Sequence, residues 1–194
     1  MASKLAQLAQ QKTAAQLQSM SRDSFKWLTN QIKSLSNVTG IASTIIKDKG
    51  RSGHFEPGQL YFFYYDPKGK DDLPYYDRFP LVLVLDRQTD GFMGLNLHYL
   101  PVKYRIGLLD KLMDFATIGG NNDIMRMRVS YDILSASKTY KEFKPCLKKY
   151  LYSQVQSRIV TVHPNEWDIA AFLPIQQFRK AAPNTVWQES LEQL

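Results

Sequence analysis

Apolar positions along this chain change their spacing several times, and each change marks an element. From Ser3 to Leu35 there is neither proline nor glycine. Leu5, Leu8, Leu17 and Met20, then Phe25, Leu28, Ile32 and Leu35, recur at helical intervals, which predicts two helices broken near Ser21 to Ser24. The first is rich in Gln and Ala and only weakly apolar, so it is expected to need a second surface and to serve as an arm. Gly40, Gly50 and Gly53 among scattered Ser and Thr predict a linker up to about Pro57.

Beyond Gly58 the character becomes β-rich. Gln59 to Tyr65 is an aromatic strand candidate, and Asp66 to Pro74 carries turn chemistry in Pro67, Gly69 and Pro74. Leu81 to Leu85 reads as a buried strand, and Thr89 to Gly91 as a tight turn into a third strand, Phe92 to Leu97. Strand, long loop, strand, hairpin, strand predicts a small antiparallel sheet with an SH3-like curl, and an open meander fits the same order. Pro101 opens a helix to about Phe115, with Tyr104, Leu108, Leu112 and Phe115 on one side, and Gly119 to Asn122 stops it. Ile124 to Val129 reads as extended, and Ser130 as the N-cap of a helix through Leu134. Tyr140 to Gln156 reads as helical with an interruption at Pro145, Arg158 to Val162 as a strand, Pro164 to Phe172 as a short helix, and the rest as an irregular tail with Trp187. The alternation lacks a βαβ repeat, so the expected class is α+β with surrounding helices. The expected division is an N-terminal helical arm over 1–36, a linker over 37–56, a core domain over 57–180 and a C-terminal tail over 181–194.

Composition narrows the function classes. With 44% hydrophobic and 12% aromatic residues the chain is expected to fold, and 194 residues suffice for one core. No apolar run approaches the roughly 20 residues of a membrane span, and the N-terminal stretch lacks a secretory apolar core, so synthesis in a cytoplasm with no membrane partner is expected. A lone Cys146 allows no intrachain disulfide. The net charge of +7 favours an acidic partner.

Catalytic patterns are scarce. Phosphate-cradling, dinucleotide and nucleophile-elbow motifs are absent from the sequence, and His54, His98 and His163 lack metal-ligand spacing, so no cofactor or metal is expected. Asp66, Asp71, Asp72 and Asp77 resemble a Mg²⁺-holding group, but Lys68, Lys70 and Arg78 interleave with them as in an ordinary charged turn. The lysines near Cys146 favour a thiolate, yet no base is placed beside it, and a small core residue is the simpler reading. The basic stretch is more informative. Arg126, Arg128, Lys141, Lys144, Lys148, Lys149 and Arg158 are interspersed with Tyr131, Tyr140, Phe143, Tyr150 and Tyr152, a pattern suited to phosphates and exposed bases or to a partner protein. A helix with aromatics inward and lysines in water explains the same pattern.

Four blocks, GQLYFFYYDPKGKDDLPYYDRFPLVLVLD, DGFMGLNLHYLPVKYRIGLLDKL, FKPCLKKYL and NEWDIAAFLPIQQF, resemble virion proteins of large contractile-tailed bacteriophages, most closely the DNA end protector proteins of head completion. The resemblance covers about Pro57 to Trp187 and leaves the arm outside. It implies a non-enzymatic protein of the virion, made in the bacterial host cytoplasm, that protects the ends of packaged double-stranded DNA. Its implied partners are other phage virion proteins at the portal or neck. The alternative is a structural connector of neck, tail or baseplate, held by the arm and the tail. Asp77, Arg78, Asn96 and His98, which lie in these blocks, are assigned to the scaffold, with Asp77 and Arg78 tying the long loop to the sheet. A third reading comes from the opening pattern, which also resembles MazF-type ribonuclease toxins. There Arg78 would supply the basic residue, but the strand from Leu81 to Leu85 offers no hydroxyl.

Overall fold

The computed structural model describes residues 55–109, 144–157, 159–163 and 166–194. The expected arm, the linker up to residue 54, and everything between 110 and 143 lie outside these residues.

Five antiparallel strands form the main sheet: β1 (Leu60–Phe62), β3 (Leu81–Arg87), β4 (Gly91–Asn96), β5 (Leu147–Leu151) and β6 (Val160–Val162), in the order β5-β4-β3-β1-β6. A separate ribbon pairs β2 (Tyr76–Asp77) with β7 (Phe178–Arg179). Helical turns run over 102–109 (α1), and further helices over Trp167–Phe172 (α2) and Pro183–Glu192 (α3). The class is α+β, and the strand order has two ends, so the described strands close no barrel.

Both faces of the sheet are buried, which explains why β3 reads as continuously apolar rather than alternating. Leu81, Leu83 and Leu85 join Leu60, Phe62, Leu95 and Leu97 on one side, where Trp167, Ala170, Ala171 and Val186 of α2 and α3 cover them. Val82 and Val84 point the other way into an aromatic group with Phe55, Tyr61, Phe63, Phe92 and Tyr150. There Phe55 stacks on Phe92 at 4.3 Å and Tyr150 on Phe92 at 5.3 Å. The β3–β4 register jumps from Val84–Gly94 to Asp86–Met93, which makes Leu85 the extra residue of a β-bulge and bends the hairpin.

Two expectations are corrected. The segment read as helical through Gln156 is instead strand β5 followed by a 3-10 turn at Tyr152–Gln154. The local run Leu-Lys-Lys-Tyr-Leu tolerates a helix, but β4 offers an unfilled edge, and pairing Tyr150 with Phe92 buries two rings at once. The tail read as irregular forms α3, with Pro183 at its start, Val186 and Ser190 buried, and the Trp187 indole N–H donating to the His98 carbonyl at 2.9 Å.

Candidate functional site

A buried polar hub sets the position of the surrounding loops. Asp77 is 3% exposed, and its carboxylate accepts from the backbone N–H groups of Phe79 and Gln177, each at 3.0 Å, and from Asn96 Nδ2 at 3.3 Å. Its Oδ2 also lies 2.7 Å from His98 Nδ1. Burial alone would raise the Asp77 carboxyl, but His98 and the two backbone donors outweigh it and hold the group below the usual carboxylate range. Burial lowers the His98 imidazole more strongly than Asp77 raises it, so His98 is neutral and donates from Nδ1. The compensating charge is Arg105, also fully buried, which donates to the carbonyls of Leu100, Leu173 and His98 and to Gln176 Oε1. Burial lowers its pKa to about 10, so it stays charged. The hub thus ties the loop before β3, the end of β4, α1 and the chain before β7 into one frame.

Over this frame the loop from Asp66 to Tyr75 is held down from two sides. Backbone pairs link Asp66 N to the Gln154 carbonyl and Gln156 N to the Tyr64 carbonyl. At the far end Lys180 Nζ donates to the carbonyls of Asp71 and Leu73 at 2.6 and 2.9 Å. Lys180 sits at φ 69, a left-handed conformation costly for a side chain with a Cβ, and the two carbonyl bonds offset that cost.

The result is a pair of adjoining cavities that share Tyr65 and Tyr76. The larger, about 450 Å³, has Lys68, Tyr75, Tyr76, Tyr99, Lys148 and Lys149 in its wall. Lys148 Nζ lies 4.3 Å over the Tyr99 ring, and burial lowers its pKa. Lys149 reaches outward and pairs with Asp90 at 3.1 Å, both side chains about half exposed. Burial and a hydrogen bond to Glu189 push the Tyr75 phenol up to about 12, so it stays protonated and able to donate. The smaller cavity, about 310 Å³, is bounded by Tyr64, Asp66, Lys70, Tyr76, Arg78 and Arg179.

Lys148 and Lys149 come together on β5 at the larger cavity, whereas Lys144 is exposed in the turn before β5 and lines neither cavity. Arg126, Arg128, Lys141 and Arg158 lie outside the described residues. Asp77, Asn96 and His98 meet in the hub. Arg78 separates from Asp77: its backbone pairs with Gln177 and Tyr65, but its side chain is exposed at the smaller cavity. Cys146 is fully buried, and burial pushes its thiol up to about 12, which leaves it an unreactive core residue. Sequence reasoning placed Lys68 only in an ordinary charged turn and missed Arg179 and Lys180. Only pairing of β2 with a segment about 100 positions away brings the last two to the loop.

Among the described residues no three His, Cys, Asp or Glu side chains gather as a metal site, and no helix is long and apolar enough to cross a membrane. No curated protein and no solved structure matches the chain. One family model does, that of the Phage T4 terminal DNA protecting protein, and it matches residues 2–190. The match therefore includes the N-terminal segment that the block resemblance had left outside. Spanning nearly the whole sequence, it makes this chain a member of the terminal DNA protecting protein family of contractile-tailed phages.

Proposed function

We propose that this protein acts in the virion, where it binds the ends of packaged double-stranded DNA and shields them from nuclease as a stoichiometric cover with no chemical step. Family membership supports the class of role. The observation that carries the reading to a surface is Lys148. Its ammonium is drawn partly into the protein beside an aromatic ring, with no carboxylate partner among the described residues, in a cavity flanked by Lys68 and Lys149. A cation held in this way is stabilised by an incoming anion, and DNA phosphates supply one every few ångströms along the groove. Tyr75 and Tyr99 add donors and ring faces suited to a nucleic-acid terminus.

A non-enzymatic role fits the state of the acidic residues. Asp66 is engaged by Lys70, and Asp77 is buried in the hub. The ribonuclease-toxin alternative gains nothing from the cavity at Arg78, whose described lining includes no Ser or Thr. The connector alternative needs a C-terminal grip, yet α3 packs against this chain's own core through Val186.

The test is protection of a linear duplex from a processive exonuclease. Saturating protein is expected to preserve full-length DNA, and Lys148→Gln with Lys149→Gln to require markedly more protein for the same effect. Digestion at an unchanged rate under saturating protein would overturn the proposal.

A further inference from the structure

The smaller cavity has a composition of its own. Lys70 and Asp66 neutralise each other there through contacts of 2.9 and 3.1 Å. Arg78 and Arg179 are both exposed and have no ion-pair partner among the described residues. Their placement follows from the β2–β7 ribbon. Tyr76 is paired with Arg179 and Asp77 with Phe178, so Arg78 is the next residue but one from Tyr76 on the same face. Arg78 and Arg179 are thus diagonal neighbours, a relation that sets Cα atoms about 7–8 Å apart. Two guanidinium groups on stems of that separation can close on a single small anion.

Charge selects the anion. The cavity carries two uncompensated positive charges. A phosphodiester within a strand offers one negative charge, whereas a terminal phosphate monoester carries about 1.5 to 2 at neutral pH and three non-bridging oxygens for forked donors. The aromatic surroundings add a second match: Tyr64 is 36% exposed at the rim and backed by Phe79 at 4.7 Å, and Tyr76 forms the wall shared with the lysine cavity. A terminal base can lie against these rings while the strand continues past Lys68 and Lys148.

We infer that Arg78 and Arg179 form a clasp for the terminal phosphate monoester of a DNA strand, adjacent to the lysine groove that takes the backbone phosphates. The inference rests on the end-binding role proposed above and assigns the chemical group that distinguishes an end from the middle of a duplex.

The experiment measures binding of the full chain to one short duplex prepared with 5′-phosphate, 3′-phosphate or hydroxyl ends, with inorganic phosphate alone as a fourth ligand. The expected result is a preference of about tenfold or more for one phosphorylated end over hydroxyl ends, the size of one or two charge-assisted hydrogen bonds. Arg78→Gln with Arg179→Gln should abolish that preference while leaving hydroxyl-end binding in place. The charge-conserving Arg78→Lys and Arg179→Lys variants, which disturb the exposed ribbon least, should reduce it. Equal affinity for phosphorylated and hydroxyl ends, or a preference that survives in the glutamine variant, overturns the clasp. Tight binding of inorganic phosphate without any phosphorylated-end preference overturns it as well, by making the cavity a small-anion site. Failure of the end-binding role itself looks different, since no linear duplex would then bind better than a closed circle.

Discussion

The His98 imidazole meets the Asp77 carboxylate at 2.7 Å, Nδ1 to Oδ2, with both side chains out of water. The unfolded chain binds a proton at either group more readily than the folded one, because both folded pKa values are lowered. Stability therefore rises with pH through both titrations. The His98 contribution is complete above its unfolded value of about 6.5 and is lost progressively as pH falls from there through the lowered folded value. The Asp77 contribution is complete above about 3.9 and is lost as pH falls through the lowered folded value. Urea midpoints measured against pH should show these two declines. The His98→Gln variant, which keeps a donor for Asp77, should flatten the one nearer neutrality and keep the acid one.

Removing the acid leaves His98, Asn96 and two backbone donors without their acceptor and takes away a negative charge that acts on Arg105 through space. Asp77→Ala should cost about 3–5 kcal/mol in urea unfolding, because four donors in the hub lose their acceptor at once. A loss below about 1 kcal/mol would mean that the hub does not hold the frame.

Lys148 should show opposite signs for stability and binding. Its ammonium is lowered by burial and has no carboxylate partner among the described residues, so Lys148→Met should raise stability by about 0.5–1 kcal/mol. The same change should weaken DNA binding and reduce the slope of log affinity against log salt by about 0.9 for the lost phosphate contact. Thermal melting and a salt titration measure both quantities in one preparation.

Gly91 begins β4 opposite Leu151, and a Cβ there would run into the Tyr150 carbonyl oxygen, part of the backbone of β5. Gly91→Ala should cost about 2–3 kcal/mol and weaken DNA binding with it, because the strand that must retreat carries Lys148 and Lys149. The effect is read from the melting temperature and from binding at a temperature where the variant remains folded.

Helix α3 is integral to the core. Val186 is fully buried, the Trp187 indole bonds to His98, and the Arg105 guanidinium lies 5.7 Å over its ring. Removing residues 181–194 should destabilise the protein by several kcal/mol, since it uncovers Arg105 and one end of the core together. Trp187→Phe, which keeps the ring and loses the N–H, should cost only about 1 kcal/mol.

What the sequence made legible follows from range. Strands β1, β3 and β4 are fixed by local apolar runs and the Thr89–Gly91 turn, and α2 and β6 also fall where local pattern placed them. Strand β5 was not legible, because its conformation comes from an edge supplied by β4 more than 50 positions earlier. The signal for α3 was present in Pro183 at a helix start and in Val186 and Ser190 one turn apart, but its sparse apolar content hid it. The site divides the same way. Lys148 and Lys149 stood out as neighbours in a basic run, whereas Arg179 gains meaning only opposite Tyr76, a pairing no local pattern encodes.

Recognition of a DNA end separates the proposed role of this surface from a general affinity for polyanions. It is tested most directly by competition between a linear duplex and a covalently closed circle of the same sequence at one fixed salt concentration. The linear form should win by about tenfold or more, and the circle should bind only with the weak, salt-sensitive affinity of any basic protein. Equal affinity for the two forms would contradict it and reduce the groove to a general polyanion surface.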